Sequence, residues 1–309
     1  MHGLLKWEAK CYSKIEFECL EEENLNIQWY PGHMAKAKRM LTDSLKLVDV
    51  VIEMVDARAP ASTRNPDFDA IFGSKPRVVV LNKADLADPG KTKAWIRYYQ
   101  SRGWDAISFS ANAGKGVKEA IQLVERAVRP TVERMKAKGV NKTVRAMIVG
   151  IPNVGKSTFI NRLRGTAVAK AGDKPGVTRG KQWIIVNPYL EFLDTPGMLW
   201  PKFEDKDVAQ RLAYIGSIRN EIMDNELLSM QLLEFLRSNM PSAIETRLKF
   251  VPEDEMTGEQ MLKMACRKRG WILSGARPDF ERASALVLDE FRGGKMGRIT
   301  MEMPPRQEA

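Results

Sequence analysis

The stretch VRAMIVGIPNVGKSTFI, residues 144–160, decides the architecture. Its first six residues, 144–149, have the apolar character of a buried strand. The next eight, Gly150 to Ser157, fit the pattern GxxxxGK[ST]. In that pattern the glycines let backbone N–H groups turn inward around a chain of phosphates. The lysine reaches the β- and γ-phosphates, and the hydroxyl that follows takes a Mg²⁺ ion. A helix starting near Lys156 would add its N-terminal dipole to the same anion. Asn153, Val154, Gly155, Lys156, Ser157 and Thr158 are therefore candidate nucleotide contacts, with Ser157 a candidate Mg²⁺ ligand.

Upstream, three more apolar runs end in polar punctuation. Residues 48–55 (VDVVIEMV) stop at Asp56, residues 77–81 (RVVVL) run into Asn82-Lys83-Ala84-Asp85, and residues 106–110 (AISFS) end at Ser110-Ala111. Amphipathic stretches at 91–102 and 117–128 separate them, followed by a basic connector at 129–143. Strands alternating with helices predict an α/β unit with a mainly parallel sheet and flanking helices. Downstream, 163–180 is too rich in turn residues for a helix and reads as a mobile loop. Residues 182–186 and 189–194 follow as paired strands. From about residue 205 only helical spacing remains, at 207–218, 225–239, 257–270 and 279–292. The expected division is an N-terminal extension (1–26), an α/β domain (27–203) and an all-α domain (204–309).

Asn82-Lys83-Ala84-Asp85 has the form NKxD, whose carboxylate can accept two hydrogen bonds from N1–H and the exocyclic amine of guanine. Adenine offers no such pair, so the unpaired carboxylate discriminates against it, and Asp85 disfavours an ATPase. Asn82 would face the other edge of the ring, Lys83 would lie along its plane, and the Ser110-Ala111 backbone would meet O6. Asp194-Thr195-Pro196-Gly197 would supply Asp194 to Mg²⁺ through water and the Gly197 N–H to the γ-phosphate. Thr178, in the loop, would close onto Mg²⁺ when the γ-phosphate is present.

The chain has 309 residues and a net charge of +10. Residues 129–182 carry thirteen Lys or Arg against two acids, Glu133 and Asp173, a net of +11 that leaves the remainder close to neutral. A nucleotide needs two or three cations. The excess points to a polyanionic partner such as RNA, the other reading being a solvated helix carrying lysines. Three scattered cysteines (Cys11, Cys19, Cys266) show no metal-ligand spacing and fit a reducing cytosol. No apolar run is long enough to span a membrane, and the acidic N-terminus has no signal-peptide core.

The motifs stand in the order base reader, Ser-Ala, phosphate loop, switch threonine, DTPG. In ordinary GTPases the phosphate loop comes first. This chain resembles the circularly permuted GTPases. With WYPGHMAKAKR at 29–39, DAR at 56–58 and its helical tail, it is similar within them to the ribosome biogenesis GTPase A family, from about residue 27 onward. The resemblance implies GTP and GDP as ligands, Mg²⁺ as cofactor, GTP hydrolysis, and action in late assembly of the large ribosomal subunit with the tail contacting rRNA. A cytoplasmic monomer is expected. In the permuted order the DTPG switch leads directly into the helical tail, which suggests that nucleotide-driven movement passes that way.

Many GTPases place a Gln after DxxG to orient the attacking water. Here Met198 and Leu199 follow, so help must come from elsewhere. His33, in a Pro31-Gly32-His33-Met34 turn ahead of a basic helix, could orient or deprotonate water. It could equally contact a helix end or RNA. Asn153 could hold K⁺ beside the γ-phosphate, or simply serve a tight turn. A nucleotide-sensing RNA-binding scaffold with negligible turnover is the competing reading. Arg292, Lys295 and Arg298 are candidate phosphate grips in the tail or, since the tail is close to charge-balanced, ordinary surface cations.

Overall fold

The computed structural model describes residues 31–110, 116–166, 183–195, 197–198, 205–218 and 224–305. Strands β1 (Val50–Asp56), β2 (Arg77–Asn82), β3 (Asp105–Ser108), β4 (Val144–Val149), β5 (Trp183–Asn187) and β6 (Leu190–Asp194) form one sheet in the order β3-β2-β1-β4-β6-β5. Every neighbouring pair is parallel except the β5–β6 hairpin. The chain lays β1, β2 and β3 outward in one direction, then returns to place β4 on the other side of β1. The carboxyl edge at this reversal is where open α/β sheets bind ligands.

Each residue of β1 and β2 is buried, as expected for strands covered on both faces. Alternation of side chains divides them between the faces. Val50, Ile52, Met54, Val78, Val80, Ala146 and Ile148 pack with α4 (Val117–Lys136) and α5 (Lys156–Thr166). On the other face, Val51, Met147 and Val149 meet α1 (Pro31–Leu45) and α2 (Asp67–Phe72) through Leu41, Leu45, Phe68 and Phe72. Val55, Val79 and Leu81 meet Trp95 and Tyr99 of α3 (Pro89–Ser101).

The tail contributes α6 (Lys206–Tyr214), α7 (Asn225–Asn239), α8 (Pro241–Leu248), α9 (Gly258–Arg269) and α10 (Phe280–Arg292). Leu228, Leu232, Leu233 and Leu236 of α7 make its buried stripe, and the bundle core is continuous with the α4 face of the sheet. Asp205, Asp224 and Asp279 cap α6, α7 and α10, and Thr257 with Gln260 forms a capping box on α9.

After α10 the chain returns to the sheet. Ile299 N donates to Leu86 O at 3.0 Å, Met301 N to Arg58 O at 2.8 Å, and Asp88 N to Thr300 Oγ1 at 3.0 Å. The Glu302 carboxylate accepts from Ala61 N at 2.7 Å and Ser62 N at 3.0 Å, while its carbonyl accepts from Trp95 Nε1 at 3.1 Å. This strap was not expected from the sequence.

One open reading is decided and one expectation needs correction. Over 129–136 the basic connector is helical, as in the solvated-helix reading: α4 continues to Lys136, with Pro130 inside it. Arg134 and Lys136 in its last turn complement the negative end of the helix dipole. The segment at His33 is not a turn ahead of a helix, because α1 starts at Pro31. Proline suits the first helical position, where its missing N–H is no loss.

Candidate functional site

The segments after β2, β3, β4 and β6 open on one edge of the sheet and bring together Asn82, Lys83, Asp85, Ser110, Asn153 to Thr158, Asp194 and Gly197. Ala111 and Thr178 lie outside the described residues. His33 sits in the first turn of α1.

The base-reading and phosphate loops are joined directly. Asn82 Nδ2 donates to Val154 O at 2.6 Å, and Lys83 Nζ donates to Asn153 O at 2.8 Å. Lys83 and Asn153 both adopt left-handed backbone, with φ of 58° and 60°. Such strain persists where surrounding contacts over-determine it. Gly155, at φ 94°, faces Asn82 so closely that a Cβ there would overlap Asn82 Nδ2. The Oδ1 of Asn82 is buried without a partner among the described residues. Phe109 N donates to Leu81 O and Ala84 N to Phe109 O, which sets the buried Ser110 beside the Asn82-Lys83-Ala84-Asp85 loop.

Lys156 is 8% exposed, and its Nζ donates to the Gly150 and Ile151 carbonyls at 2.9 and 2.8 Å. Burial lowers its pKa to about 8, opposed by the nearby charge of Asp194. A lysine held partly neutral must regain its proton when it meets a triphosphate. Binding of GTP near pH 8 should therefore take up a fraction of a proton per site, an uptake that falls as the pH is lowered. Titration calorimetry in buffers of differing ionisation enthalpy reads this directly, and enthalpies independent of buffer at pH 8 would refute it. The same depressed pKa makes fold stability rise with pH between about 8 and the ordinary lysine value, where the unfolded chain binds more protons.

Gly197 presses against the phosphate loop: a Cβ would lie 2.9 Å from both Lys156 Nζ and Pro152 N. The next residue, Met198, donates its N–H to Gly150 O at 3.2 Å and buries its side chain with Leu41, Leu45 and Phe68 under α1. It cannot orient water. Ser157 and Thr158 are exposed at the start of α5. Ser157 and Asp194 carry hard oxygens of the kind Mg²⁺ could take, an ion that uses one or two protein oxygens and completes its shell from phosphates and water.

Beneath these loops lies a clamp that motif reading missed. Asp56, at the end of β1, is fully buried. It accepts from Arg58 Nε and Nη2 at 3.0 and 2.8 Å and pairs with Lys83 Nζ at 3.0 Å. Burial opposes its ionisation, but the Arg58 and Lys83 charges outweigh it and hold the carboxyl well below the usual carboxylate range. Arg58 Nη1 also donates to Arg292 O at 3.1 Å, at the end of α10. The Arg292 guanidinium in turn donates to Ala213 O and Tyr214 O at 2.8 and 3.1 Å, closing the carbonyl end of α6. Its charge is thus engaged within the fold, which argues against the expected RNA grip there. Finally, Asn153 Nδ2 donates to Gly216 O at 2.8 Å. That leaves its Oδ1 as the atom that could meet a cation. An acid ending an apolar strand at the ligand edge is the one visible signal for Asp56.

The fold and the paired loops define a P-loop GTPase with its base reader placed ahead of its phosphate loop. A family model described as 50S ribosome-binding GTPase matches residues 145–244. It begins at β4, where an unpermuted chain would begin. "Ribosome biogenesis GTPase A" of Bacillus cereus is 48% identical over 90% of this chain and 94% of its own. The protein of that name from Priestia megaterium is 46% identical over 92% and 99%. A GNP-bound crystal structure of YlqF from Thermotoga maritima superposes with TM-score 0.62 at 31% identity, covering 87% of this chain and 98% of that one. The chain belongs to the ribosome biogenesis GTPase A family, and GTP hydrolysis is the activity of its class. No helix among the described residues is long and apolar enough to cross a membrane.

Proposed function

We propose that this protein is a GTP-driven switch in late assembly of the large ribosomal subunit, hydrolysing GTP to GDP and phosphate with Mg²⁺ while contacting rRNA. The names of its relatives support a ribosomal role. The observation that carries the reading is the bond from Asn153, in the phosphate loop, to Gly216, at the end of the first tail helix. A rearrangement around the γ-phosphate therefore has a route of one hydrogen bond into the helical unit (204–309) from the GTPase domain (27–203).

In this reading Asn82, Lys83, Asp85 and the Ser110-Ala111 backbone hold guanine. The loop from Asn153 to Thr158 and Gly197 hold phosphates, and Ser157, Thr178 and Asp194 hold Mg²⁺. The ion supplies positive charge to the β- and γ-phosphate oxygens when bound. His33 is the proposed group that orients water, K⁺ at Asn153 a proposed second charge, and the protein acts as a cytoplasmic monomer. Burial of Met198 favours a second reading, a scaffold that senses GTP and hardly turns it over.

One experiment separates them: multiple-turnover hydrolysis with and without purified large subunits, in K⁺ and in Na⁺, for the native chain and His33→Ala. A supplied catalytic group is worth about 10³–10⁵ in rate. Stimulation by large but not small subunits is expected, dependent on K⁺ and lost in His33→Ala. Binding without stimulation selects the scaffold. Stimulation that stays within threefold in His33→Ala, or is equal in Na⁺, removes that group or that ion.

A further inference from the structure

The basic excess of residues 129–182 does not all lie at the nucleotide. The α4 helix starts beside the carboxyl edge, just after β3, and runs back to the amino edge, where β4 begins. From Val144, β4 runs six residues before the phosphate loop, about 20 Å at the usual rise per residue. The last turns of α4 and the turn after it therefore sit at the end of the sheet remote from the phosphates.

This segment is built unlike the rest of α4. Val117, Ala120, Val124 and Val128 bury one stripe of the helix, whereas from 129 to 143 no residue is fully buried and Val132 alone packs, half-buried, against the main core. Arg129, Arg134, Lys136 and Lys138 are exposed, and Glu133 is the one acid among residues 129–143. Acids at this edge already have partners: Asp105 bonds Arg126, Asp49 pairs with Lys142 at 2.9 Å, and Glu191 pairs with Arg145 at 3.1 Å. Solubility alone is usually served by interspersed signs rather than a single-sign arm.

A second observation concerns the adjacent turn. Tyr189, in the β5–β6 hairpin, is 71% exposed. Its carbonyl accepts from Val144 N at 2.8 Å, which sets it beside the chain leaving the basic arm. Its N–H donates to Asn187 Oδ1 at 2.9 Å, which fixes the turn. Exposed cations and an exposed aromatic side chain on one surface are a means by which proteins hold single-stranded or looped RNA: cations track the backbone while a base stacks on the ring.

From this we infer that the amino edge of the GTPase sheet is an RNA-binding surface. Arg129, Arg134, Lys136 and Lys138 contact phosphates and Tyr189 stacks an unpaired base. The inference rests on the ribosomal reading for the source of the RNA but not for the chemistry. It adds a contact on the GTPase domain to the tail contact proposed above, so the two units could grip RNA from different sides.

The test compares the native chain with a variant in which these four cations are changed to Gln, and with Tyr189→Ala. The probes are a fluorescein-labelled U12 oligoribonucleotide and purified large subunits loaded with a GTP analogue. The five residues are exposed, and unchanged GTP binding verifies folding. The four-Gln variant should bind U12 roughly 10- to 100-fold more weakly at 0.15 M salt, with the slope of log K against log salt reduced by about 3. Tyr189→Ala should weaken U12 binding several-fold with the slope unchanged. If native and variant chains bind U12 and the subunit alike, the surface is refuted while the ribosomal reading stands. If neither chain binds the subunit yet U12 binding still falls in the variant, the ribosomal reading fails and the surface stands. Displacement of U12 by polyglutamate at equal charge concentration would overturn RNA as the partner.

Discussion

Asp56→Ala should lower the stability of this protein by about 3–5 kcal/mol, because it strands a buried cation. The Arg58 side chain is 3% exposed, and Asp56 supplies its two carboxylate contacts. Typical domains have about 5–15 kcal/mol in all, and each kcal/mol moves the midpoint of a unit this size by about 2–4 °C. A fall of roughly 6–20 °C in thermal denaturation is expected, and a shift under 2 °C would show that the clamp carries little. The carboxyl is held below its ordinary range, so its contribution is present above the usual carboxylate pKa and is lost only in strong acid. Nucleotide affinity should fall with stability, since Lys83 bridges Asp56 to the Asn153 carbonyl.

The second large effect belongs to Asp85. Two hydrogen bonds from a charged carboxylate to guanine, at about 1.5–3 kcal/mol each, correspond to about 10²–10⁴ in affinity. Asp85→Asn should lose that much for GTP. It should gain for xanthosine triphosphate, whose C2 carbonyl can accept from the new amide while N1–H still finds an oxygen. Fluorescent-nucleotide titration decides it: a GTP affinity within threefold of the native value would remove Asp85 as the base reader.

The sheet was legible because its strands are short apolar runs, each closed by a chemically telling residue. The permutation was legible from the order of those closings alone. What could not be read depends on distance in space between residues far apart in the chain. Asp56-Ala57-Arg58 could be quoted as a motif, but nothing local says that Arg58 reaches the Arg292 carbonyl. Arg292 looked like a grip for phosphate because the carbonyl end of α6 beside it has no sequence signature. Residues 299–302, with no periodicity, gave no hint that they would run along the loops around Arg58 and Leu86. The basic connector left two readings open because its proline and charges obscure two turns of helix, in which Val132 still packs against the core.

The strap also has a mechanical meaning. A body tethered at one point can tumble; each further tie removes a direction of movement. The helical unit is held near its start by Asn153 on Gly216, at the end of α10 by Arg58 on Arg292, and beyond its end by residues 299–302 on the sheet. With a shared apolar core behind them, these ties leave it little freedom to swing as a loose appendage. One tie is set in the phosphate loop itself, so a displacement there would be passed to the bundle as a unit.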